Sequence, residues 1–165
     1  RPNDIKNLHT RNSGKELWSN YRKSQGGKKG QTTQPRQLFP LFMQDIDGTS
    51  INWNLMQRIH VREELPPLND LGGVGQAVGR FLRDNQVWKD LKEEAIAEKQ
   101  QLTPYSFRHR FAYVGHNRKK TDGTYRAPKQ IADAMGHTLD VHLKSYARFM
   151  TKELAQNFDK ELVEA

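Results

Sequence analysis

The chain has 165 residues, about a third of them apolar, no cysteine, and a net charge of +8 from 27 Lys/Arg against 19 Asp/Glu. That length suffices for one buried core, and the missing cysteines exclude disulfides, thiolate chemistry and cysteine-based zinc sites. No apolar leader opens the chain, and no run approaches the roughly 20 apolar residues that span a bilayer.

The opening "RPNDIKNL" reads as a helical turn, with proline early and Ile5 and Leu8 spaced for one buried face. Two short extended runs follow, Leu17 to Arg22 and Gln37 to Leu41. They are joined by a Gly/Lys/Thr-rich loop that uses the freedom of Gly26, Gly27 and Gly30, which makes a basic hairpin. From Ile51 to Gln101 the pattern is mostly helical, interrupted at Pro66 and Pro67. Val74, Val78, Phe81 and Leu82 form one stripe there, and Val87 to Lys99 is rich in helix formers.

A helix begins near Pro104. Phe107, Phe111 and Val114 lie within roughly 60° of one another on it and are expected to face the core. Tyr105 and Arg108 then share a neighbouring face. The Arg108 guanidinium is permanently charged and suited to paired hydrogen bonds with phosphate oxygens. After the basic, turn-rich insert "HNRKKTDGTYR" a second helix starts at Pro128, buries Ile131, Ala134 and Met135, and ends at Gly136. His137 therefore falls on a sharp corner, where an imidazole can donate to an oxygen that gains charge in a transition state. Tyr146 lies on the next helical run with Lys144 and Arg148 nearby. A phenol has a pKa near 10, so to attack phosphorus it needs a base or a strongly cationic site.

Charge is clustered around these residues. Residues 1 to 39 total +7 and residues 108 to 148 total +6, while 40 to 107 and 149 to 165 are net acidic. Such clustering is the footprint of a polyanionic partner, nucleic acid being the usual one, and the plain alternative is a solvated basic surface.

"SFRHRF" followed by "MGHTLDVHLKSYARF" resembles the tyrosine recombinase (phage integrase) family. That family has an arginine in an H-x-L-R-H box, a Leu-Gly-His box, and a nucleophilic tyrosine nine positions past the histidine, the spacing of His137 and Tyr146. The resemblance implies an α+β, mainly helical catalytic domain covering residues 1 to 165, with a small antiparallel hairpin or sheet, and a DNA-clamping domain lying before residue 1. It further implies site-specific cleavage and rejoining of double-stranded DNA through a 3′-phosphotyrosine, with neither metal nor ATP. The expected setting is self-association as a tetramer on DNA, away from membranes, in the cytoplasm at a bacterial or phage nucleoid.

By the same resemblance the catalytic set is Arg1, Lys23, Tyr105, Arg108, His137 and Tyr146. "RPNDIKNL" is similar to the family's first arginine segment, with Asp4 at its acidic position. Lys23 takes the role of the hairpin lysine that protonates the departing 5′ oxygen, with Lys28 and Lys29 as competitors. Arg22, Lys28, Lys29, Arg118, Lys119 and Lys120 are the expected phosphate contacts. Tyr105 stands where the family usually has histidine, as in some cyanobacterial excision recombinases; a neutral phenol donates a hydrogen bond but is a poor proton acceptor near neutral pH. His142 and Leu143 replace frequent threonines, and Arg148 a frequent histidine. Met150, Leu154, Phe158 and Leu162 repeat every four residues on an acidic tail that docks on a neighbouring protomer or folds back on its own. The rival functions are a type IB topoisomerase, a non-catalytic DNA-binding module, and a structural protein with a chance motif.

Overall fold

Asn12, Ser13 and Gly14 take φ angles of 52°, 53° and 83°, and the Lys15 N–H bonds back to the Asn12 carbonyl at 3.1 Å. These left-handed residues reverse the chain between strands β1 (Leu8–Arg11) and β2 (Glu16–Ser19), which pair antiparallel from Leu8↔Ser19 to Arg11↔Glu16. The computed structural model describes residues 2–21, 34–41, 43–44, 47–63 and 73–150. The protein is α+β, and the chain divides into two compact units, Arg1–Arg108 and His109–Ala165.

In the first unit a 3-10 turn (Pro2–Asn7) supplies the expected helical start, but Leu8 falls on β1 and neither it nor Ile5 is fully buried. β2 is the centre of a three-stranded sheet, pairing on its other side with β3 (Arg36–Leu38) at Leu17↔Leu38 and Ser19↔Arg36. The expected hairpin is thus β2–β3, and its loop, with Gly26, Gly27 and Gly30, lies outside the described residues. β2 alternates as a half-buried strand should, with Leu17 and Ser19 buried. On the other face Arg11 stacks on Trp18 at 4.0 Å, and Trp18 donates to Glu16 at 2.8 Å.

Beneath the buried face the Asp4 carboxylate accepts from Ser19 Oγ and from the Arg36 guanidinium, and all three residues are buried. Burial opposes the Asp4 charge, the Ser19 hydrogen bond and nearby positive charge, Arg36 included, favour it, and the net leaves the carboxyl below its ordinary value. This cluster pins the 3-10 turn to β2 and β3.

A two-stranded piece, β4 (Met43–Gln44) with β5 (Ser50–Ile51), precedes helix α1 (Leu55–His60). α1 lies along β1, where Thr10 Oγ1 meets His60 Nδ1 at 2.9 Å. Helices α2 (Val74–Asp84) and α3 (Gln86–Ala97) pack on each other, joined at Asn85, whose side chain accepts from the Trp88 N–H. Both helices form as the pattern predicts, although Phe81 of the α2 stripe is 68 % exposed and none of the described residues of α3 is buried. A single helix pair offers too little surface to cover every apolar position.

α4 (Ser106–Asn117) starts at the end of the first unit and runs into the second, followed by α5 (Pro128–Met135), α6 (Leu139–Tyr146) and a 3-10 turn (Ala147–Phe149). The second unit's core is Ala112, His116, Ile131, Ala132, Ala134, Met135, His142 and Tyr146. A Cβ at Gly115 would come 3.3 Å from Ile131 Cγ2, so α4 and α5 approach closely at that glycine. Among the described residues, no helix is long and apolar enough to cross a membrane.

The expected core face of α4 is corrected. Phe107 is 57 % exposed and stacks on Trp88 with centroids 5.6 Å apart, while the buried positions are Ala112, Gly115 and His116. On a helix of about 3.6 residues per turn that stripe is turned by roughly 120° from Phe107, Phe111 and Val114. The reason is close approach: two small residues admit α5, and a histidine is buried because it finds a partner.

Candidate active site

Two caps in succession fix the α5–α6 corner. Pro128 occupies the first turn of α5, where Gln130 Oε1 accepts from the Ala127 N–H at 3.1 Å. At the other end Gly136 adopts φ 69° and ψ 47°, as expected, and the His137 N–H returns to the Ala132 carbonyl at 3.2 Å. Thr138 then caps α6, its Oγ1 accepting from the Val141 N–H at 3.3 Å. Three residues separate the helices, and the middle one is His137.

From this corner a chain of imidazoles runs inward. His137 Nε2 lies 2.8 Å from His142 Nδ1, and His142 Nε2 lies 2.9 Å from His116 Nε2. His116 and His142 are fully buried. Burial, with the neighbouring His142 second, pushes the His116 imidazole down to about 4, so it is neutral near pH 7. One turn beyond His142 stands Tyr146, 2 % exposed. Its ring centroid is 5.1 Å from His142, 5.6 Å from His137, 5.6 Å from His109 and 6.2 Å from Phe149. The following turn is held by Asn117, whose Nδ2 donates to the Tyr113 and Phe149 carbonyls at 2.8 Å each.

His137 and Tyr146 therefore meet within one unit. Arg108 is half-buried on the first turn of α4, its N–H bonding to the Tyr105 carbonyl at 2.9 Å. On that helix it lies within about 40° of Ala112 and about 20° of Gly115, in line with the stripe that ends at His116. Tyr105 is 58 % exposed. Of the expected phosphate contacts, Lys120 forms an ion pair with Asp122 at 3.0 Å, Lys119 lies over the Tyr125 ring at 5.3 Å, and Arg118 is half-buried. Lys120, Asp122 and Thr124 close a tight turn, since the Lys120 N–H donates to the Thr124 carbonyl and Thr124 donates twice to Asp122. Arg1, Arg22, Lys23, Lys28 and Lys29 lie outside the described residues. Among the described residues no group of three or more His, Asp or Glu is arranged to hold a metal ion.

Sequence reading did not single out His109 or His116, and it took His142 only as a departure from threonine. A signal was present, because four of the six histidines fall between 109 and 142. What brings them together is the packing of α4 against α5 and α6. Comparison with protein-family models, curated proteins and solved structures finds no match to this chain.

Proposed function

We propose that this chain is the catalytic domain of a tyrosine recombinase, cleaving and rejoining double-stranded DNA through a phosphotyrosine. The observation that supports this reading most is the pairing of His137 with Tyr146, centroids 5.6 Å apart, at a corner where glycine and threonine caps fix the histidine. Arg108 at the head of the same α4 stripe, and the +6 charge of residues 108 to 148, add the cation that a phosphate requires.

In the proposed reaction the Tyr146 phenol loses its proton and its oxygen bonds to phosphorus while the P–O5′ bond breaks. The 5′ oxygen takes a proton from Lys23. Arg1, Arg108, Tyr105 and His137 bind the phosphate oxygens, whose charge grows in the transition state; loss of one such donor costs about 3 to 4 kcal/mol in comparable sites. One phosphodiester is exchanged for another, so the bond energy stays in the protein–DNA link until a 5′ hydroxyl reverses the step. Tyr146 is almost completely covered, so the end of α6 has to open before the phenol reaches DNA.

The test is incubation of the chain with a nicked duplex from the protein's own genomic neighbourhood, followed by denaturing electrophoresis. A denaturant-resistant protein–DNA band is expected from the wild type and none from Tyr146→Phe, with DNA affinity unchanged within about twofold. Affinity is expected to fall steeply with salt, as several phosphate contacts require. Equal adduct from both proteins removes Tyr146 from the chemistry, and salt-sensitive binding with no adduct from either makes the chain a DNA-binding module.

A further inference from the structure

His142 touches no part of the proposed reaction, yet it lies fully buried between two other histidines with both ring nitrogens engaged. We propose that His142 is a positioning residue for His137: it accepts from His116 and donates to His137, so that His137 keeps its proton on Nδ1, the nitrogen that lies outside the imidazole chain. The tautomer assignment stands on the geometry of the second unit, whereas its use in catalysis rests on the recombinase reading above.

The assignment follows from counting protons. A neutral imidazole carries one N–H and one bare nitrogen, and a hydrogen bond between two ring nitrogens holds one proton. With all three rings neutral they bring three protons, and the two bonds hold two of them. The third sits at one end, on His116 Nδ1 or on His137 Nδ1. His116 Nδ1 is buried and has no hydrogen-bond partner among the described residues. A proton there would be an orphaned buried N–H, a rare and costly feature of folded proteins. The third proton therefore goes to His137. Charging the chain requires a fourth proton, which with both bonds intact has to occupy the buried His116 end.

Among the described residues, no carboxylate of α4, α5 or α6 is paired with these rings. α4 contains no Asp or Glu that would favour an imidazolium, and it adds His109 beside the Tyr146 ring and the cations Arg108 and Arg110. On α5 and α6 the charged residues pair with each other in solvent, Lys129 with Asp133 and Lys144 with Asp140. The bond that a histidine makes through one nitrogen sets which proton the other carries.

Long-range nitrogen–proton NMR on histidine-labelled protein reads the tautomer directly. Wild-type His137 is expected to carry its proton on Nδ1, with Nε2 giving an acceptor-type resonance. In His142→Asn the amide nitrogen stands near the place of His142 Nδ1 and donates the same bond, so His137 is expected to keep its form. His142→Leu is expected to release His137 to the Nε2–H form that free imidazoles favour. In the nicked-duplex assay His142→Leu is expected to slow adduct formation on the order of tenfold at unchanged DNA affinity, as when the partner that orients a functional histidine is lost, and His142→Asn to retain most of the rate. A wild-type His137 protonated on Nε2 overturns the proposal without any variant having to fold, and so does an unaltered tautomer in a folded His142→Leu protein. An Nδ1–H tautomer in a protein that forms no adduct overturns the recombinase reading alone.

Discussion

Each of the two units buries polar side chains at its centre, and they do so by opposite electrostatic means. In the first, Asp4 and Arg36 are buried as ions, each neutralising the other, with Ser19 taking up a further carboxylate lone pair. In the second, His116 and His142 are buried rings joined nitrogen to nitrogen, and burial holds His116 neutral near pH 7. An ion pair holds two elements by charge and is intolerant of losing one member, because the survivor remains charged in a poor solvent. A neutral imidazole chain carries less electrostatic cost and has a choice of proton arrangements, which is a property suited to a reactive centre. The first cluster accordingly anchors a sheet, and the second reaches the corner that carries His137.

Removing one ion is the most severe way to test that contrast. Arg36→Ala is expected to cost about 3 to 5 kcal/mol in urea denaturation, because Asp4 is left charged and buried. Joint replacement by Asp4→Asn and Arg36→Leu is expected to recover much of that loss. A cost below about 1 kcal/mol for Arg36→Ala would show that the pair is no firmer than a surface contact and would erase the distinction between the units.

Acid separates the two clusters along the pH axis. The His116 value falls from an ordinary 6.5 to about 4 on folding, so the unfolded chain binds the extra proton more readily. Its contribution is fully present above about 6.5 and is lost as the pH falls towards 4, amounting to on the order of 2 kcal/mol. Asp4 is also depressed, from 3.8, so its contribution is present above that value and is lost only at lower pH as the carboxylate is protonated. Denaturation across pH 7 to 3 is therefore expected to show the second unit weakening first, and His116→Phe is expected to flatten the upper part of the profile. A wild-type profile flat between 6.5 and 4 would show that His116 is not buried neutral.

How legible each cluster was in the sequence follows from the same contrast. Local signals were read correctly where backbone geometry dictates the residue: Pro128 at a helix start, Gly136 in the left-handed conformation, and the extended runs that pair as β2 and β3. Of β1, only Leu8 was read, as part of the opening turn, because "LHTR" has no apolar alternation and is a strand by virtue of pairing with β2. The buried face of α4 was misread for a related reason. Hydrophobicity favours Phe107 and Phe111, whereas the close contact of Gly115 with Ile131 and the partnering of His116 with His142 turn the helix the other way. No local pattern announces a bond between residues 26 apart, which is why the imidazole chain had to be seen in three dimensions.

The smallest expected effect lies where the second cluster meets its covered phenol. Asn117 uses both amide hydrogens to tie the Tyr113 carbonyl to the Phe149 carbonyl, and so holds the turn that follows Tyr146 against the end of α4. Asn117→Ala removes one such bond across the unit, worth about 1 kcal/mol, or roughly a fivefold change in a local opening equilibrium. Amide exchange at Ala147 to Met150 is expected to quicken by about that factor, with global stability almost unchanged. If the phenol has to emerge before it reacts, adduct formation on a nicked duplex rises in the same variant instead of falling. An unchanged exchange rate would mean that the cover over Tyr146 is held by the imidazole and aromatic rings packed around it and not by this amide.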